Sequence, residues 1–147
     1  MSLLLRYENW PSLLFDYFKT RETMPFTYGK NDCMLFAADW ILTATGCDLA
    51  TFFRGKYSTK RGAATLLKKY ADGGLIETAI KAMASVQAPS ILPTLTQRGD
   101  FVLVETTIEG NEQGLMGGIC AGRNIAAPAS DKMIYLPLKT VRYAWSI

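Results

Sequence analysis

At 147 residues, with 49% apolar and 20% charged residues, the chain has the length and composition of one folded domain, and disorder is excluded. A net charge of +3 without a dense Lys/Arg tract is too mild to argue for nucleic acid as a partner. No run approaches the ~20 apolar residues of a membrane helix, so stable membrane insertion is not expected, and Met1-Ser2-Leu3-Leu4-Leu5-Arg6 is too short an apolar run for a signal peptide.

Asn9, with Pro11 in the opening turn, predicts a first helix. Leu14, Phe15 and Phe18 form its apolar face, and it ends near Arg21, ahead of Met24-Pro25. Tyr28-Gly29-Lys30-Asn31 reads as a turn running into Asp32 and Cys33, and an apolar helical pattern follows at once. Asp32 is a good N-cap because its carboxylate accepts from free N–H groups of the first turn. Phe36 and Trp40, with Ala37 and Ile41, form the face that anchors this helix in a core, and Gly46 stops it after Thr45. A short helix is expected over Asp48 to Phe53, closed by Gly55. Ser58 is the expected cap of the next helix, where Ala63, Leu66, Leu67 and Tyr70 recur at helical spacing until Asp72-Gly73-Gly74 breaks it. Leu75 to Ala84 is a further short helix, followed by a Ser/Thr-rich linker flanked by Pro89 and Pro93.

The pattern then changes. From Asp100 on, β-branched and aromatic residues dominate, and strands are expected at Phe101 to Thr107, Leu115 to Ala121, Asn124 to Ala127, Lys132 to Leu136 and Val141 to Ser146. Glu109-Gly110-Asn111-Glu112 is the turn after the first of them. The connections are mostly too short for parallel crossovers, so the sheet should be antiparallel. Helices first and strands last predict one α+β domain over 1–147, helical over about 9–85 and β over about 98–147.

Cys33 falls in the first turn of its helix, where unpaired N–H groups and the helix dipole favour a thiolate. It is the candidate nucleophile; the alternative is a small buried thiol at a helix start. Adjacent helical residues point about 100° apart, so Asp32 is not expected to pair with Cys33, and its charge would raise the thiol pKa. Asp39, Asp48, Asp100 and Glu105 are the other carboxylates able to approach, Asp100 being read first as bonding the turn that opens its strand. Tyr28 either packs beside Phe26 or donates to an oxyanion. Arg54 and Tyr57 either line the cleft or brace a loop. Cys47 and Cys120 are read as packing residues. Three cysteines at no metal-ligand spacing, with no histidine in the chain, argue against a zinc site, and no cofactor is expected. The thiols are read as reduced, in a chain folded in a cytoplasm.

Tyr28-Gly29 … Asp32-Cys33 … Phe36 is similar to the aromatic–Gly … Asp-Cys … Phe nucleophile motif of papain-like cysteine peptidases of the NlpC type, which cut peptide bonds in bacterial cell walls. Arg98-Gly99-Asp100-Phe101-Val102 resembles the Gly-Asp that opens their first long strand. Met116-Gly117-Gly118-Ile119-Cys120-Ala121-Gly122 resembles their His-Val-Gly-Ile-Tyr-Ile-Gly strand. The resemblance spans Tyr28 to Ala127 and implies that the Cys33 helix packs across the sheet with its sulfur close to Met116, the position of the family's histidine. A thioether has no titratable proton, and no other position supplies a histidine, so a Cys-His mechanism is excluded. Met116 is expected to fill the space of the imidazole, with Gly118 and Cys120 on its strand face. The polar residue that orients the histidine in such enzymes falls among Ala126, Ala127 and Pro128.

A second resemblance covers nearly the full length. Gly29 to Cys33, Thr45 to Asp48, Arg54 to Tyr57 and Tyr143-Ala144-Trp145 are similar to segments shared by proteins encoded among the tail genes of tailed bacteriophages. It implies synthesis in the bacterial host cytoplasm, a place in the virion at or near the tail tip, other tail-tip proteins as partners, and contact with peptidoglycan. The preferred expectation is a non-catalytic tail component with a degenerate NlpC-like fold and a structural or assembly role. The alternative is a cysteine hydrolase or acyl transferase acting on the cell wall, with Cys33 as nucleophile and a non-histidine partner. The first is preferred on magnitude: a helix dipole contributes at best ~2 kcal/mol, whereas losing a triad member lowers the rate by orders of magnitude.

Overall fold

Residues 2–106 and 114–147 are described by a computed structural model of the chain. Four helices come first: α1 (Trp10–Arg21), α2 (Cys33–Thr45), α3 (Lys60–Ala71) and α4 (Leu75–Ser85). Six strands follow: β1 (Ser90–Ile91), β2 (Phe101–Glu105), β3 (Leu115–Cys120), β4 (Asn124–Pro128), β5 (Met133–Pro137) and β6 (Val141–Trp145). They form one sheet in the order β1-β6-β2-β3-β4-β5, with every neighbouring pair antiparallel. The class is α+β, as the change of pattern near Asp100 predicts.

Local chemistry sets the helix ends. The Asp32 carboxylate accepts from the Leu35 N–H at 2.9 Å, and Gly46 closes α2 in the left-handed region at φ 79°. The cap of α3 is Thr59 rather than Ser58: Thr59 is extended, and its hydroxyl accepts from the Gly62 N–H at 3.0 Å. The expected helix over Asp48 to Phe53 is a set of turns. Asp48 accepts from the Ala50 N–H, and the Ala50 carbonyl takes both Phe53 and Arg54, so the side chain diverts the backbone into one closed loop instead of a ladder. The linker contributes a strand of its own, with Ser90 and Ile91 opposite Trp145 and Ala144. The expected turn Glu109 to Glu112, and the Thr107 end of the strand before it, lie outside the described residues.

The sheet is curled. Only Leu138–Thr140 join β5 to β6, a link that reaches at most about 14 Å. In a flat sheet those two strands, four places apart in the order, would be separated by about 19 Å. The short link therefore bends the sheet into an open barrel with two distinct faces. Val102, Val104, Met116, Cys120, Ile125, Ala127 and Ala144 alternate onto the inner face, and all are buried. Phe101, Leu103, Leu115, Gly117 and Ile119 alternate onto the outer face, where the helices lie. Trp40 of α2 ties that helix to the start of β2, its indole N–H donating to the Gly99 carbonyl at 2.9 Å.

Helix α1 is clamped to α2 by Tyr17, which is buried against the Phe36 ring (5.5 Å) and the Trp40 ring (5.8 Å) and donates its hydroxyl to the Phe36 carbonyl at 2.6 Å. Burial, the largest effect, holds the Tyr17 pKa well above that of an ordinary phenol, against the opposing Arg21 charge. The unfolded chain therefore loses this proton first. The stabilisation is complete below about pH 10 and is lost as pH rises from there toward the folded-state value. Urea unfolding between pH 9 and pH 11 is expected to show a loss of up to ~1.4 kcal/mol per pH unit that is missing in Tyr17→Phe. Parallel pH dependences in the two proteins would contradict it.

Candidate functional site

The start of α2 is assembled from three stretches of chain. The Asp32 carboxylate caps its own helix through Oδ1, while Oδ2 accepts from the Gly29 N–H at 2.9 Å and from the Tyr57 hydroxyl. Gly29 has φ +82°, and a Cβ there would collide with the Tyr57 carbonyl oxygen, so only glycine allows the turn to lie against this segment. Burial first, then the charge and hydrogen bond of Asp32 and the charge of Cys33, push the Tyr57 pKa far above the ordinary phenol value. Tyr57 thus stays protonated and serves Asp32 as a donor; it is no base for Cys33.

Cys33 is buried and forms one wall of a small cavity of about 30 Å³, with Phe26, Tyr28, Asp32, Tyr57 and Leu75 among the other walls. Tyr28 meets Phe26 edge-on at 4.9 Å between centroids. The structure therefore brings together four of the residues singled out in sequence, Tyr28, Asp32, Cys33 and Tyr57. Of the two readings of Tyr57, cleft wall and loop brace, both hold.

Met116 stands one residue from the strand contact of Cys33. The β3 residue that meets Cys33 is Gly117: a Cβ on it would lie 2.5 Å from the Cys33 carbonyl oxygen. Neighbouring side chains on a strand point to opposite faces, so Met116 points into the barrel, opposite Val104 on β2, and is fully buried there. Gly118 and Cys120 share that inner face, as the two-residue period predicts. The outer-face residue next to Gly117, toward the N-terminal end of β3, is Leu115. It is buried and stands opposite Glu105. Leu115 lines a different groove, with Ile76 of α4 and Arg142 and Tyr143 of β6 among its walls. The clue in the sequence is Gly117 itself, the residue that lets a helix backbone approach a strand.

The remaining candidates lie elsewhere. Arg54 bonds Asp39 at 2.6 Å and Asp48 at 2.9 Å, and Asp39 also holds Arg21 at 2.7 Å. This network braces α1 and the Asp48 turn against the side of α2, so Arg54 is a loop brace and no cleft residue. Asp100 accepts from the Gln97 N–H at 2.8 Å and pairs with Arg6 at 2.9 Å. Burial raises its pKa, and the bonds from Gln97 and Arg6 oppose that shift. It serves the turn before β2, near the Trp40 end of α2, away from Cys33. Glu105 is exposed and paired with Arg142 at 2.7 Å. Cys120 is buried, with its thiol pKa raised chiefly by burial.

Among the described residues, no group of three His, Cys, Asp or Glu side chains is placed to hold a metal ion. No described helix is long and apolar enough to cross a membrane. A family model described as a domain of unknown function (DUF6950) matches residues 5–147. No curated protein matches the chain.

Proposed function

Taking as premise that the chain belongs to the DUF6950 family, we propose that it is a non-catalytic component of a bacteriophage tail tip, with a degenerate NlpC-like scaffold in a structural or assembly role. The virion placement and the tail-tip partners rest on the resemblance carried by Gly29 to Cys33, Arg54 to Tyr57 and Tyr143-Ala144-Trp145. The loss of catalysis rests on one observation: the β3 residue against the Cys33 backbone is Gly117, and neither it nor the adjacent Met116 can exchange a proton. Asp32, the nearest carboxylate in sequence, is occupied by three donors. A nucleophilic thiol needs a group that takes its proton and returns one to the leaving amine, and neither side of this contact supplies it.

The second reading is a cell-wall hydrolase with a non-histidine partner. Cleavage of purified peptidoglycan by wild type and by Cys33→Ala, with phage assembly followed for each, separates the two. The scaffold reading expects no turnover by either protein and normal infective particles from both. Turnover by wild type only, with infectivity lost while particles still form, would establish the hydrolase.

A further inference from the structure

The segment 50–72, made of the turns after Leu49 and of α3, stands apart from the rest of the fold. Its buried residues are Ala50, Phe53, Ala63 and Leu67, and none of them belongs to the main core. Ala50 packs with Leu35 and Ala38 of α2 in a small separate cluster, with Tyr57 against it. Ala63 and Leu67 are the buried residues of α3, and both are walls of the cavity at Cys33. The buried face of α3 is thus the roof of that cavity.

The segment is held together from within. Phe52, Phe53 and Tyr70 join its two arms, with ring centroids 5.2 to 5.3 Å apart. Its backbone-to-backbone bonds close inside it: the Ala50 carbonyl takes Phe53 and Arg54, Phe53 takes Lys56, Thr59 takes Ala63, and Lys68 takes Asp72. Its links to the body run through side chains. The Tyr57 hydroxyl donates to Asp32, Arg54 pairs with Asp39 at 2.6 Å, and Lys81 donates to the Tyr70 carbonyl. The seam is loosely packed, with the cavity at Cys33 on one side. On the other is a cavity of about 50 Å³ against α2 and α4, with Ala50 and Phe53 among its walls. Atoms facing a void lack contact partners on that side. Both ends are anchored, since Leu49 packs against the main core and Leu75 belongs to it. Asp72-Gly73-Gly74, with Asp72 in the left-handed region at φ 52°, forms the hinge to α4.

A segment with little apolar contact to the core opens at a lower free energy than the whole fold. We propose that residues 50–72 form a lid over the start of α2, which opens as one unit and admits solutes to the cavity at Cys33. Tyr57 and Arg54 are its latches. The lid is independent of the tail-tip reading, since a scaffold and an enzyme would each carry it.

Cys33 reports the opening. Its alkylation by iodoacetamide in the full chain, followed at the Cys33 peptide by mass spectrometry, is measured at increasing urea below the unfolding transition. The rate is expected to rise with a urea slope well below that of global unfolding, because only part of the buried surface is exposed. Tyr57→Phe removes a bond to a carboxylate and is expected to speed the reaction about tenfold. Arg54 is not a wall of the cavity, so Arg54→Gln acts on Cys33 through the lid and is expected to speed the reaction about threefold. A wild-type slope equal to that of global unfolding, or no slope at all, would overturn the proposal. An unchanged rate in either variant would overturn it as well, and the wild-type slope keeps the test decisive if a variant does not fold.

Discussion

Met116→His is expected to destabilise the fold by about 3 kcal/mol. Met116 is fully buried on the inner face of the barrel, where an imidazole would leave water for an apolar interior. Burying an unbonded polar group costs about 1–3 kcal/mol in proteins, and the change of shape in a packed core adds to it. Urea denaturation of wild type and Met116→His measures the loss, and a change under about 1 kcal/mol would contradict it.

Gly117→Val is expected to be among the most damaging single substitutions outside the barrel interior. The first added carbon would sit 2.5 Å from the Cys33 carbonyl oxygen, well inside the separation real Cβ atoms keep. Both groups are backbone in regular elements, so neither can rotate away. Helix α2 would have to lift from β3, exposing the fully buried Phe36 and Trp40. Overpacking of this kind costs about 1–3 kcal/mol and sometimes more, and the upper end applies because α2 carries the core. Urea denaturation would measure the loss. A change under about 1 kcal/mol would mean that α2 slides along the strand at little cost.

Much of the chain was legible because its signals are local. Asp32 and Gly46 bracket α2 through one side chain and one left-handed backbone angle, and both act within a turn of where they stand in sequence. Leu75 opens α4 as expected after Asp72-Gly73-Gly74, and the change to β-branched residues near Asp100 marks the sheet. The helix expected at Asp48 to Phe53 failed on equally local grounds. Asp48 bonds the backbone two residues on, a competition that helical spacing of apolar residues does not register.

The contacts that give the candidate site its character are long-range. Tyr57 reaches Asp32 across 25 residues, and a one-dimensional reading left it between cleft and brace. The pairing of Arg54 with Asp39 took it away from Cys33 for the same reason. Met116 is a different case: it stands one residue from the contact on β3, and a strand has two faces that a shift of one residue exchanges. On β3 every residue is buried, so the sequence shows no polar alternation from which to tell inside from outside.

The sequence by itself determined the α+β class, the helix that opens at Cys33, and the absence of any histidine to serve it. Propensity, capping and composition act at short range and survive without knowledge of the partner surfaces. Only the tertiary structure decided which face of β3 that helix covers. The three residues between β5 and β6 curl the sheet, the curl gives it an inside and an outside, and Gly117 is the point on the outside where a helix backbone can touch down.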